Sequence, residues 1–299
     1  MCFVKNKALC FFCLFFFLSV SNILAADIVV VDDVGRTVVL KNPAKRIVAL
    51  APHIVENLFS AGAGDKIVAV VEYSDYPEAA KKIERVGRFD TVSIERILAL
   101  SPDLVVVWGS GGGIKLIEKF KSLGLTVYVD EPSTLHSVAN SIDKLSVLAG
   151  TELAGKVAAT KFIDELQRLK SLNVSQEKPK VFYQLWNNPI QTVSGHHVIS
   201  DAIALCGGEN VFAKTKSIAP KVNLESVLSK NPDVIIASGT NEKRPEWLDA
   251  WKQWSSLSAV KSSNTYHIPP DYIQRHTLRI LDGVRLMCEY IKKSHSKQN

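Results

Sequence analysis

The sequence predicts an α/β protein of two Rossmann-like lobes, each with a central, mostly parallel sheet, joined by one long rigid helix, with a ligand cleft between the lobes. Three observations predict it. First, one phrase occurs twice: SIERILALSPDLVVVW at 93–108 returns as NLESVLSKNPDVIIAS at 223–238. A constant offset pairs Glu95 with Glu225, Pro102 with Pro232 and Asp103 with Asp233. Second, β-branched runs of strand length alternate with helix-length amphipathic segments, the pattern of a parallel sheet. Third, the stretch from Leu135 to Leu172 lacks proline and carries apolar residues at helical spacing, which makes it the connector. The 299 residues suffice for two lobes with cores of their own.

Residues 1–26 precede the fold. Lys5 and Lys7 form a positive start, Ala8 to Val20 is apolar, and Leu24-Ala25-Ala26 is a small-residue exit. This is the pattern of a secretory signal peptide cleaved after Ala26; the alternative is an uncleaved anchor. Losing it lowers the net charge from +6 to +4. DIVVVDDVGRTVVL then reads as a hairpin with its turn at Val34-Gly35. In the first lobe, 27–145, strands are expected at Ile47–Ala51, Ile67–Val71, Leu104–Val107 and Thr126–Val129, with helices at His53–Ala61, from Ser93 to Leu100 and at Ile114–Ser122. Ser93 is the helix cap, and Pro102-Asp103 ends that helix and opens the strand. The linker, 146–175, holds a helix from about Thr151 to Leu172, stiff enough that lobe closure should be small.

The second lobe, 176–299, repeats the scheme. It has strands at Lys180–Leu185 and Thr265–Ile268, a helix at Val198–Cys206, the repeated helix–Pro-Asp–strand at Asn223–Ala237, and a last helix from about Thr277 to Ser294. Glycine turns follow the first helix of each lobe, in SAGAGDKIVAV and ALCGGENVF.

Composition excludes some functions. Apolar content of 46% and charged content of 22% are those of an ordinary globular chain. Lysines are scattered, with no block of like charge to suit a nucleic acid. The glycine run Gly109–Gly113 sits where a phosphate loop would, but Ile114 occupies the third glycine's place and no Gly-Lys-Ser/Thr follows. A flexible strand-to-helix turn is the expectation there. The seven histidines show no zinc spacing, and no G-x-S-x-G nucleophile motif occurs. No chemical step, metal or cofactor is expected.

The mature chain keeps two cysteines, Cys206 and Cys288, after Cys2, Cys10 and Cys13 leave with the signal. In an oxidising compartment an even pair reads as a disulfide, closing a loop of roughly 80 residues for at most about 4–5 kcal/mol; two buried thiols are the alternative.

Aromatic residues gather in loops that follow strands, the usual lining of an α/β crevice. They are Tyr73 and Tyr76, Phe89, Trp108, Trp186 and Tyr272. Such a set suits a large, flat, partly apolar ligand. Trp247, Trp251 and Trp254 share one helical face and read as packing. Glu95 and Glu225 each sit in the first turn of the repeated helix. A glutamate there contributes about 0.3–1 kcal/mol through the helix dipole; a matched pair, one per lobe, equally suits two acidic pegs docking on a two-subunit membrane partner.

YSDYPEAAKKIE (73–84), IERILALSPDLVVVW (94–108), CGGENVF (206–212) and PDYIQR (270–275) resemble the periplasmic binding proteins that serve ABC importers of cobalamin, haem and ferric siderophores, and within them the cobalamin branch. The likeness runs from about Lys45 to Ile291. It implies a monomeric, periplasmic carrier that captures a corrinoid and passes it to the transmembrane subunits of an ABC permease; the alternatives are a ferric siderophore or haem as the ligand of the same fold and, more distantly, a periplasmic metal-dependent enzyme. It also implies that Glu95 and Glu225 meet permease arginines, that Cys206 pairs with Cys288, and that Tyr73, Asp271 and Arg275 contact the ligand. Two departures, Phe89 and Ala219 where the family carries tryptophan, imply less stacking surface.

Overall fold

The computed structural model describes residues 26–88, 90–173, 178–239 and 243–296. The expected signal segment 1–25, the candidate ligand residue Phe89 and the connector's last residues, 174–175, lie outside the described residues.

The first lobe opens with β1 (Ile28–Val31) and β2 (Thr37–Leu40), paired as the expected antiparallel hairpin. Asp32 closes its turn, accepting from the backbone N–H groups of Val34 and Arg36 at 3.2 and 2.8 Å, while Gly35 supplies φ +81°. Then come β3 (Ile47–Ala49), α1 (Pro52–Ser60), β4 (Ile67–Val70) and β5 (Glu84–Arg85). A short ladder of β6 (Gly87–Arg88) with β7 (Thr91–Val92) leads to α2 (Ile94–Ala99), β8 (Leu104–Trp108), α3 (Gly109–Ser122) and β9 (Val127–Asp130). The main sheet runs β5-β4-β3-β8-β9, all parallel.

Helix α4 (Leu135–Ala149) starts with a reciprocal Thr134–Ser137 cap and stops at Gly150, φ +67°. Helix α5 (Glu152–Leu172) is the long connector; its 21 residues span about 31 Å. The second lobe contains β10 (Lys180–Gln184), α6 (Val198–Leu205), β11 (Glu209–Asn210), α7 (Leu224–Lys230), β12 (Val234–Ala237), α8 (Ser258–Lys261), β13 (Thr265–His267), α9 (Pro270–Ile273) and α10 (Ile280–Ser296). Its parallel sheet runs β11-β10-β12-β13.

The duplicated phrase occupies the same place in both lobes. Strand order reverses between β3 and β8 in the first sheet and between β10 and β12 in the second, and β8 and β12 are the repeated strands. Ser93 and Asn223 cap α2 and α7, accepting from the N–H groups of Arg96 at 3.3 Å and Ser226 at 2.9 Å. Asp103 accepts from the N–H groups of Lys45 and Arg46 at 2.7 and 2.9 Å, and Asp233 from that of Lys180 at 2.9 Å. Those donors lie at or just before the start of β3 and β10. The Pro-Asp element therefore stitches together the two strands on either side of each reversal, at their amino ends.

One expectation is corrected. Gly109–Gly113 is not a flexible turn but the start of α3. The Glu131 carboxylate accepts from the Ser110 N–H at 2.5 Å and its hydroxyl at 3.0 Å, so a charge satisfies the helix's free donors. Glycine is needed at 111 because a Cβ there would lie 2.2 Å from the Trp108 indole.

A continuous apolar cluster runs through both lobes. It includes Ile47, Ile54 and Leu58 of the first lobe, Leu145 of α4, and Phe162 and Leu166 of α5. It continues into Val181, Ile199, Val284 and Met287. Each lobe adds a private cluster on its outer face, around Val105, Val107 and Phe120 in one and Phe182, Ile235 and Trp251 in the other. The tryptophan stripe belongs to the latter. Trp251 is buried, with its indole N–H on Gln184 at 2.7 Å, and Trp247 and Trp254 pack against the cluster. Its segment, Glu246–Gln253, is a 3-10 helix. Cys206, just past α6, and Cys288 of α10 form the expected disulfide. Among the described residues no helix is long and apolar enough to cross a membrane.

Candidate functional site

In an open parallel sheet the crevice lies beyond the strand carboxyl ends where the order reverses. Both lobes place sequence-selected residues there. Trp108 ends β8, and Tyr73 follows β4 in a loop. Trp186 follows β10, and Asp271 and Arg275 follow β13, in and just after α9. Tyr73 adopts φ +65° and is 69% exposed. A left-handed backbone costs such a residue roughly 1–2 kcal/mol, and strain of this kind concentrates at ligand sites.

The lobes meet in an ionic cluster at this level. Glu56 of α1 is 3% exposed. Its carboxylate accepts from Arg275 at 2.9 Å and from Arg279 at 2.6 and 2.9 Å. Arg275 also reaches Asp75 at 2.9 Å and Asp271 at 3.1 Å. The Arg279 guanidinium lies over the Tyr76 ring, 4.1 Å from its centroid, and 3.9 Å from Asp271. Burial alone would lower both guanidiniums, but the hydrogen bonds they donate to Glu56, and for Arg275 also to Asp75, override it and hold them above their ordinary values.

Beneath the cluster the Trp108 indole is fixed from two sides. Its N–H donates to Glu131 at 3.2 Å, and the His53 ring meets it edge-on at 5.5 Å. His53 lies 5.8 Å from His276, which lies 5.8 Å from His197. Asn57 donates to the His276 carbonyl at 3.0 Å, and His53 Nε2 stands 3.4 Å from the Asp130 carboxylate. His197 caps α6 through its ring nitrogen, which accepts from Ile199 N–H at 3.1 Å. Burial lowers His197 to about 4, and burial with the neighbouring His53 and His197 puts His276 well below its ordinary value.

These two histidines make stability depend on pH. Their folded values lie below about 6.5, the unfolded one, so the unfolded chain binds more protons across that window. Stability is whole above pH 6.5 and falls as pH drops towards 4. From His197 alone the loss at pH 5 is about 2 kcal/mol. His197→Asn keeps a capping acceptor without a titrating ring. Urea midpoints at pH 7.5 and 5.0 should differ less for this variant than for the wild type; an equal difference would remove His197 from the account.

Arg275 and Asp271 are therefore in contact, as members of one cluster. Trp108 reaches that cluster's neighbourhood through His53 and His276. Trp186 stands apart, 42% exposed, with its indole N–H on the Asn188 carbonyl at 3.1 Å. The site residues that sequence reasoning missed are Glu56, Asp75 and Arg279. Signals existed: Glu56-Asn57 interrupts an otherwise apolar helical run, and Arg275 and Arg279 stand four apart. Among the described residues no group of three or more His, Cys, Asp or Glu side chains could hold a metal ion.

Two parallel-sheet lobes over one connector, joined at the carboxyl ends of their strands by an ionic cluster to which both contribute, define a two-lobed solute-binding protein. The chain belongs to the periplasmic binding protein family, whose model matches residues 47–272. It is 38% identical over 259 residues to the vitamin B12-binding protein of Vibrio parahaemolyticus, covering 86% of this chain and 92% of that one. It superposes on the crystal structure of the periplasmic vitamin B12 binding protein of Vibrio cholerae with a TM-score of 0.77 at 39% identity, covering 85% of this chain and 98% of that one. A periplasmic heme-binding protein from Roseiflexus shares the fold alone, with a TM-score of 0.70 at 20% identity over 84% of this chain and 99% of that one.

Proposed function

We propose that the mature chain, beginning after Ala26, is a monomeric periplasmic carrier that captures cobalamin or a related corrinoid between its lobes, 27–145 and 176–299, and delivers it to an ABC permease in the inner membrane. It performs no chemical step and needs no cofactor. The observation that carries this reading is the 39% identity to the Vibrio cholerae vitamin B12 binding protein across nearly the whole of that chain, which includes both walls of the cleft. Tyr73, Phe89, Trp108 and Trp186 supply aromatic surface for a flat macrocycle, and Asp271 and Arg275 supply hydrogen-bonding groups for its amides and nucleotide loop. Glu95 and Glu225 are exposed at the amino ends of α2 and α7, without an ion-pair partner among the described residues. A helix leading into a parallel strand starts at that sheet's carboxyl edge, so both glutamates flank the cleft, where a permease spanning both lobes would meet them.

Titration calorimetry of the mature protein against cyanocobalamin tests the ligand, with haem and a ferric catecholate as controls. The expected result is tight one-to-one binding of cyanocobalamin alone. Binding of an iron chelate without cobalamin would keep the carrier role and replace the ligand.

A further inference from the structure

Arg275 and Arg279 stand where the two lobes meet, just beyond the carboxyl end of β13, and a free pair of guanidiniums there would be an anion site. In the folded chain neither is free. Three carboxylates surround them: Glu56, which both arginines share, Asp75 on Arg275, and Asp271 on both. The fourth neighbour, Tyr76, offers the face of a ring, which also favours a cation. Three carboxylates against two guanidiniums leave the cluster one negative charge in excess. Glu56 and Asp75 come from the first lobe and both arginines from the second, so the compensation is complete when the lobes face each other, the geometry in which a ligand is held.

We infer that Glu56 and Asp75 are specificity residues: by neutralising Arg275 and Arg279 they close the cleft to polyanionic ligands, such as ferric catecholates and the carboxylates of haem, and reserve it for a macrocycle edged with uncharged amides. The inference deepens the corrinoid reading and rests on it. An entering polyanion would have to displace a carboxylate from its guanidinium or sit beside uncompensated negative charge, whereas an amide hydrogen-bonds to the cluster without a change of charge. Glu56 is buried, so Asp75, with its side chain 49% exposed, is the member that can be changed with least disturbance to the fold.

The test is calorimetry of the wild type, Asp75→Asn and Asp75→Glu with two probes, cyanocobalamin and the trianionic iron(III) tris-catecholate, at low and high salt. Thermal melting of each variant checks that it folds. Asp75→Asn balances the charges of the cluster and should tighten chelate binding at least about tenfold over the wild type, with the gain shrinking as salt rises. Asp75→Glu, which keeps the charge, should retain the wild-type exclusion. A chelate affinity in Asp75→Asn equal to that of the wild type overturns the inference, as does a wild type that binds the chelate as tightly as cobalamin. Failure of the wild type to bind cyanocobalamin sinks the corrinoid reading instead; the charge filter is then judged on the chelate arm, where the Asp75→Asn gain supports it and no gain overturns it.

Discussion

Glu56→Ala should lower the unfolding free energy by about 3 kcal/mol, the lower end of the range for breaking a buried ion pair. Glu56 is the buried member of the cluster and touches both arginines. Without it two neighbouring guanidiniums, whose side chains are 16% and 17% exposed, lose their shared acceptor. Asp75 and Asp271 still hold Arg275, which keeps the loss from the upper end of that range. Glu56→Gln preserves the volume and one acceptor and should cost about half as much. Arg275→Ala with Arg279→Ala, combined with Glu56→Ala in a double-mutant cycle, should cost less than the separate changes summed, because the stranded charge is then absent. Urea unfolding at pH 7.5 measures all of these. A Glu56→Ala midpoint equal to the wild type's would mean that the cluster contributes nothing to holding the lobes together.

Reversing both candidate docking glutamates, Glu95→Lys with Glu225→Lys, should weaken association with the permease by about 100-fold and leave calorimetric ligand binding intact. Each site would change from attraction to repulsion against a basic pocket, and like-charge juxtaposition costs several kcal/mol. The protein's own stability should fall only modestly. Each change removes one favourable charge from a helix start and adds an unfavourable one, together about 0.6–2 kcal/mol per site before screening by salt. Single reversals should be intermediate. Transport that survives the double reversal would leave the two residues with no role beyond their helices.

Much of the fold was legible because its signals are local. Ser93, Asn223 and the two Pro-Asp steps name the ends of helices and the starts of strands, and the structure puts them there. The disulfide and the long connector followed from compartment and spacing. The glycine run at 109 misled because glycine is a poor helix former; what overrides its preference is Glu131, 21 residues beyond Ser110 in the chain. The ionic cluster was hidden for the same reason. Glu56 and Arg275 are 219 residues apart, and no periodicity links a carboxylate on one lobe with a guanidinium on the other. Arg275 with its local neighbour Asp271 looked like a pair waiting for a ligand, and only the tertiary structure supplies the other two carboxylates, Glu56 and Asp75.

The apolar cluster that threads α1, α4, α5, α6 and α10 gives the two lobes one shared core in spite of the two-lobed outline. Neither half can melt without exposing the oily face it lends to the other. Wide gaping of the mouth would have to strip apolar surface from this shared seam, a cost that a bare hinge between two independent bodies would not carry.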